Sequence, residues 1–180
     1  MQREQTDFLL RTCGGGRGMR VCSEETERAF DNEKGASSMK KYLNISIIYA
    51  IAAMAGGVFY REFTKYAGYT GVTALGKVHV HLFLLGMVVF LVVALYAAHY
   101  DLRKSKAFRG FLWTYNIGVP LTAVMLAVRG VSQVLGVTLS DAVSASVSGV
   151  AGIGHILTGV GILLLLFSLK ALTENGEGKA

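Results

Sequence analysis

All four histidines of this 180-residue chain fall in two long apolar stretches, His79, His81 and His99 in one and His155 in the other. An ionisable side chain inside a membrane span is costly, and so marks a functional candidate by default. At 100° per residue, His79 and His81 point about 200° apart around a helix, so only one of them can face a bundle axis. The other snorkels, faces a different helix, or supports a site from behind. His81 and His99 share a helical face but lie about 27 Å apart along it, so they cannot serve one centre. His99, beside Tyr100 and Asp101, reads as an interfacial residue.

His155 sits in the run Gly152-Ile153-Gly154-His155-Ile156-Leu157-Thr158-Gly159-Val160-Gly161. Ala151, His155 and Gly159 share one stripe of a helix, with Ser144, Ser148 and Gly152 on the next. Small residues at this spacing let helices pack closely. They equally clear room for a flat macrocycle beside a ligating imidazole. The sequence leaves both readings open. In the second, a b-type haem is held between two helices by axial histidines. The iron ligands are then His155 and whichever of His79 and His81 faces inward, with His81 preferred because it lies deeper. Arg61, Lys77 and Arg129 mark span ends on the same side as these histidines. They suit anionic haem propionates, or serve as ordinary interfacial anchors. Tyr115 and Asn116 are the polar residues expected to hydrogen-bond within the bundle.

Other chemistries lack their parts. No acid lies within a span, so paired carboxylates for acid–base work are missing, and with them a proton relay. No Gly-rich phosphate loop is followed by Lys-Ser/Thr, and a zinc site asks for three or four ligands within reach. Cys13 and Cys22 match no metal or redox spacing. The chain is therefore expected not to be an enzyme. Nor does its net charge of +6 point to nucleic acid, because Lys and Arg cluster at the ends of apolar stretches.

The elements that must position these residues are membrane helices. The chain is 52% apolar and only 17% charged, against roughly 25% charged in soluble domains. Spans are expected at about 42–60, 78–99, 110–128 and 147–169, each near the ~20 apolar residues that cross a bilayer. In lipid the backbone must satisfy itself, so the class is all-α, a four-span bundle. Pro120 is expected to kink the third span. Lys40, Lys41, Arg103, Lys104, Lys106, Arg109, Lys170 and Lys179 share one side, against Arg61, Lys65, Lys77 and Arg129 on the other. The positive-inside rule then places both termini in the cytoplasm. Residues 1–38, with net charge −1, show no sustained period and read as a disordered extension. That extension is either a cytoplasmic tail or the product of a start assigned upstream of a true start at Met39, and residues 39–180 form the membrane domain.

Two resemblances follow from particular residues. Met39-Lys40-Lys41-Tyr42-Leu43, Gly56–Thr64 and Gly76–Met87 resemble a bacterial membrane-protein family, domain of unknown function 2871, over essentially residues 39–180. More distantly, His79-Val80-His81-Leu82-Phe83-Leu84-Leu85-Gly86 is similar to the H-x-H-L-x-L-L-G segments of small relatives of haem-copper oxidase subunit I. There a second-helix histidine and one on a late helix hold a low-spin haem. The resemblance implies that role for His79 or His81 with His155. With four spans in place of twelve, and no histidine cluster for copper, it does not imply oxygen reduction.

The sequence thus predicts a multi-pass protein of the bacterial inner membrane, embedded in the lipid bilayer, that binds haem b. The alternative is a structural or interaction protein packing through its Gly/Ser-rich fourth helix without a cofactor. A second copy of the chain or a respiratory membrane protein is the expected partner.

Overall fold

The computed structural model describes residues 17–176, with side chains described over 33–172 and at Glu174. The described residues form four long helices: α1 (Arg17–Tyr66), α2 (Gly76–His99), α3 (Lys106–Val134) and α4 (Asp141–Gly176). All four are long and apolar enough to cross a membrane, so the chain is a multi-pass membrane protein built as an all-helical bundle. Each helix runs past the boundaries expected from charge-free sequence except at the C-terminus of α2, which stops at His99 as expected. Charged residues stop the apolar run, but they do not stop the helix.

That difference is largest in α1. Its 50 residues make a rod of about 75 Å, against about 30 Å of hydrocarbon. The extension expected to be disordered is helical from Arg17 to Ser38 and continuous with the first span, while residues 1–16 lie outside the described residues. Once a span has nucleated a helix, each added residue costs little, and Arg, Glu and Met are good helix formers. Gly35 lies so close to α2 that a Cβ there would stand 2.6 Å from the Ala98 carbonyl oxygen.

The helices pack in chain order, α1 on α2, α2 on α3, and α3 on α4, with the α1–α2 and α3–α4 contacts much more extensive than that of α2 on α3. Lipid tails are as apolar as leucine, so close packing must hold the bundle. Aromatic rings do this between the first three helices. Tyr49 stacks on Phe90 at 5.7 Å, and Phe90 meets Phe111 and Tyr115 at 5.9 and 6.1 Å. Glycines do it between α3 and α4. A Cβ on Gly118 would sit 2.7 Å from the Thr158 backbone nitrogen, and one on Gly154 would sit 2.6 Å from Thr122 Oγ1. Pro120 lies exposed on α3, which continues through it to Val134.

One turn of α2 departs from α-helical geometry. From Leu82 to Val88 the backbone winds as a π-helix, a form that is rare and frequent at functional sites. Its looser winding leaves carbonyls open to other donors. Tyr115 Oη donates to the Leu85 carbonyl at 2.7 Å from α3, and Ser46 Oγ donates to that of Met87 at 2.8 Å from α1. Tyr115 therefore cross-links helices, as the sequence suggested. Asn116 does not, since its Nδ2 donates to Leu112 in its own helix.

The loop between α1 and α2 is fastened to the end of α3. Thr73 Oγ1 donates to the Gly130 carbonyl at 3.0 Å, and the Ala74 amide donates to Gln133 Oε1 at 2.8 Å. Gly130 is in direct contact with Leu75, where a Cβ would run into the Leu75 backbone. Gly130→Ala should accordingly lower stability by about 1–3 kcal/mol through overpacking. Gly136→Ala is no comparable control, because Gly136 has φ +65°, so Gly149→Ala, in open space, should be melted beside it. Equal melting of the Gly130 and Gly149 variants would contradict the packing described here.

Candidate functional site: two imidazoles between the second and fourth helices

The π-helical turn begins immediately after His81. His81 points toward α4, where its ring meets that of His155 with centroids 6.1 Å apart and planes at 88°. The backbones of α2 and α4 make little or no close contact of their own, so these side chains span the gap between them. Each ring is fixed in the same way. His81 Nδ1 lies 2.9 Å from the Lys77 carbonyl, and His155 Nδ1 lies 2.8 Å from that of Ala151. A carbonyl can only accept, so each Nδ1 carries the proton and donates it. In a neutral ring held this way Nε2 is the nitrogen that carries the lone pair, the one a metal would use.

His79 lies on the other side of α2, as the 200° separation demands. Its ring stacks on Tyr60 of α1 at 6.4 Å and 17°, over Gly57, and its Nδ1 is buried without a partner. It belongs to the contact between α1 and α2. His99 lies exposed at the far end of α2.

All three cations lie toward the same end of the bundle as the imidazole pair, Arg61 following Tyr60, whose ring stacks on His79. Lys77 is one turn from His81 and supplies its carbonyl partner. Arg129 Nη2 donates to Ser148 Oγ at 3.0 Å, joining α3 to α4 two turns, about 10 Å, from His155. Arg61 lies on α1, which carries neither imidazole of the pair. It is highly exposed and its recorded partner is the neighbouring Glu62, at 3.9 Å.

The glycines of α4 divide between two faces. Gly154 and Gly161 pack on α3, against Thr122 and Tyr115, while Cβ atoms on Gly149, Gly152 and Gly159 would meet nothing within 4 Å. His155 shares this second, open face. The packing stripe and the clearing around the imidazole, alternatives in the sequence, are opposite sides of one helix.

Residues 39–172 match the family model described as a protein of unknown function, DUF2871. The chain belongs to that family. No curated protein and no solved structure matches it. The likeness of His79–Gly86 to haem-copper oxidase relatives thus rests on those eight residues alone. Among the described residues of this DUF2871 chain, no three His, Cys, Asp or Glu side chains converge on one point. A metal wanting three or four protein ligands is not served here. A centre needing two imidazoles and no other protein ligand is the arrangement to test. Sequence reasoning missed Ser46 and the π turn. No proline or polar residue in Leu82–Val88 signals that turn, and Ser46 stands as an isolated hydroxyl in an apolar run.

Proposed function

We propose that this protein binds b-type haem between α2 and α4, with His81 and His155 as axial ligands, and acts as a binding protein and not as an enzyme. The observation that carries the reading is the 6.1 Å imidazole pair with both Nδ1 atoms already committed. Two imidazoles sharing a metal through Nε2, at about 2 Å each, stand with centres roughly 6 Å apart. The separation of the two rings matches that of such a centre. His81 and His155 would bind the iron, while the Lys77 and Ala151 carbonyls would orient the two rings. Lys77 and Arg129 would face the propionates, and Gly152 and Gly159 would leave the ring unobstructed. A haem held by two histidines supplies one-electron transfer, at a potential tuned by its surroundings. A respiratory component of the same membrane is then the partner class that would exchange electrons with it.

The test is the visible spectrum of detergent-purified protein from haem-replete cells, oxidised and then dithionite-reduced. A Soret band with sharpened bands on reduction is expected. Protein without a Soret band would overturn the reading.

The open glycines favour one other reading, in which a second copy of the chain seats on the free face of α4. Gly159→Leu separates the two. Haem binding predicts lower haem occupancy with an unchanged oligomeric state, whereas a helix interface predicts dissociation in crosslinking and light scattering.

We further infer that the protein lies in the bacterial inner membrane with both termini in the cytoplasm, on the excess of Lys and Arg at that end. With Cys13 and Cys22 replaced by serine, cysteines at Thr70 and Thr138 should react with an impermeant thiol reagent on whole cells. One at Lys106 should react only after lysis. The reverse pattern would invert the topology.

A further inference from the structure

The end of the bundle away from the imidazole pair holds a cleft of about 570 Å³ between α1 and the last turn of α2. Lys34, Ser37, Ser38 and Lys41 line it from α1, and His99 and Lys104 line it from the opposite wall. Asp101 also lines it, and Lys104 is paired to that carboxylate at 3.6 Å. Lys34 and Lys41 have no carboxylate partner among the described residues. The C-terminus of α2 also ends here, bringing about half a negative charge. Among the described lining residues, three ammonium groups outweigh Asp101 and that half charge together, which gives the cleft a net positive charge. The approach of Gly35 to Ala98, which only a residue without a Cβ allows, brings the two walls together.

We propose that this cleft binds a phosphate-bearing anion at the membrane surface. Lys41 directly precedes the charge-free run 42–60, and His99 directly follows the apolar part of α2. The cleft therefore lies where hydrocarbon gives way to headgroups, the depth at which clustered lysines attract anionic lipid. Lysines are compact point charges suited to phosphate, and the two serine hydroxyls add donors to its oxygens. An anionic phospholipid headgroup and a soluble phosphate ester present the same group to this site.

The experiment uses the full-length protein in neutral detergent, titrated calorimetrically with dihexanoyl phosphatidic acid, dihexanoyl phosphatidylcholine and inorganic phosphate. Phosphatidic acid should bind at least about tenfold more tightly than phosphatidylcholine. The Lys34→Gln/Lys41→Gln/Lys104→Gln variant should lose roughly tenfold or more of that affinity. A control of equal charge change at the same end, Lys106→Gln/Arg109→Gln/Lys170→Gln, should bind as the unmodified protein does. Inorganic phosphate that competes with the same lysine dependence identifies a soluble ester as a ligand. Phosphate that fails to compete identifies the lipid. Equal losses in both triple variants, or equal binding of the two lipids, would overturn the proposal by reducing the effect to general surface charge. Lys34→Glu, at an exposed position, repeats the test if the triple variant elutes as aggregate.

Discussion

His155→Ala is expected to abolish the Soret band of the purified protein while leaving its insertion and yield intact. His155 is the only histidine outside α2, so within one chain no other imidazole can replace it across from His81. Its side chain is exposed on the single chain and packs no core, so truncation leaves no cavity in the bundle. Burial of four apolar spans in lipid far exceeds the loss of one ring. His81→Ala should have the same effect. His79→Ala should keep the band, because that ring is stacked on Tyr60 and faces α1. His99→Ala should also keep it. Survival of the band in His155→Ala would move the ligand elsewhere and make the open face of α4 an interface. Loss in His79→Ala, with His81→Ala unaffected, would mean that α2 is rotated by about half a turn.

The largest loss of stability is expected from Gly118→Leu. A Cβ at Gly118 would already stand 2.7 Å from both the backbone nitrogen and Oγ1 of Thr158, and 3.0 Å from the Gly154 carbonyl oxygen. Two of these three atoms belong to backbone, so they cannot move aside without moving α4. Overpacking a filled interior by one carbon costs about 1–3 kcal/mol, and leucine adds three more carbons. The packing of α4 is chiefly against α3, so displacing it also carries His155 away from His81. Thermal unfolding in detergent should show a lower midpoint, and haem occupancy should fall with it. Gly152→Leu, which meets open space, should leave the midpoint of haem-free protein unchanged. Equal midpoints for Gly118→Leu and the unmodified protein would mean that α3 and α4 do not cross where the structure puts them.

Both predictions join features of different legibility. That the chain crosses a membrane as four helices follows from its residues alone. Long charge-free apolar runs have no other stable form in lipid, where the backbone must bond to itself. The opposition of His79 and His81 was legible for the same reason, since helical rotation is set by covalent geometry and not by neighbours. The sequence prefers His81 only because it lies deeper, and it took the tertiary structure to turn His81 toward α4 and His79 toward α1. That choice is seen in Gly57 admitting His79 and in Gly86 lying against Tyr49, contacts that helix periodicity cannot supply. Tertiary structure also decided that α4 divides its glycines between a packed face and an open one. A small residue records that close approach is permitted; it does not record which helix approaches. The π turn, and the two hydroxyls that satisfy it, came from packing as well, because the three partners lie on three helices. Spacing in sequence fixes directions within one helix, and only the assembled bundle fixes what each direction meets.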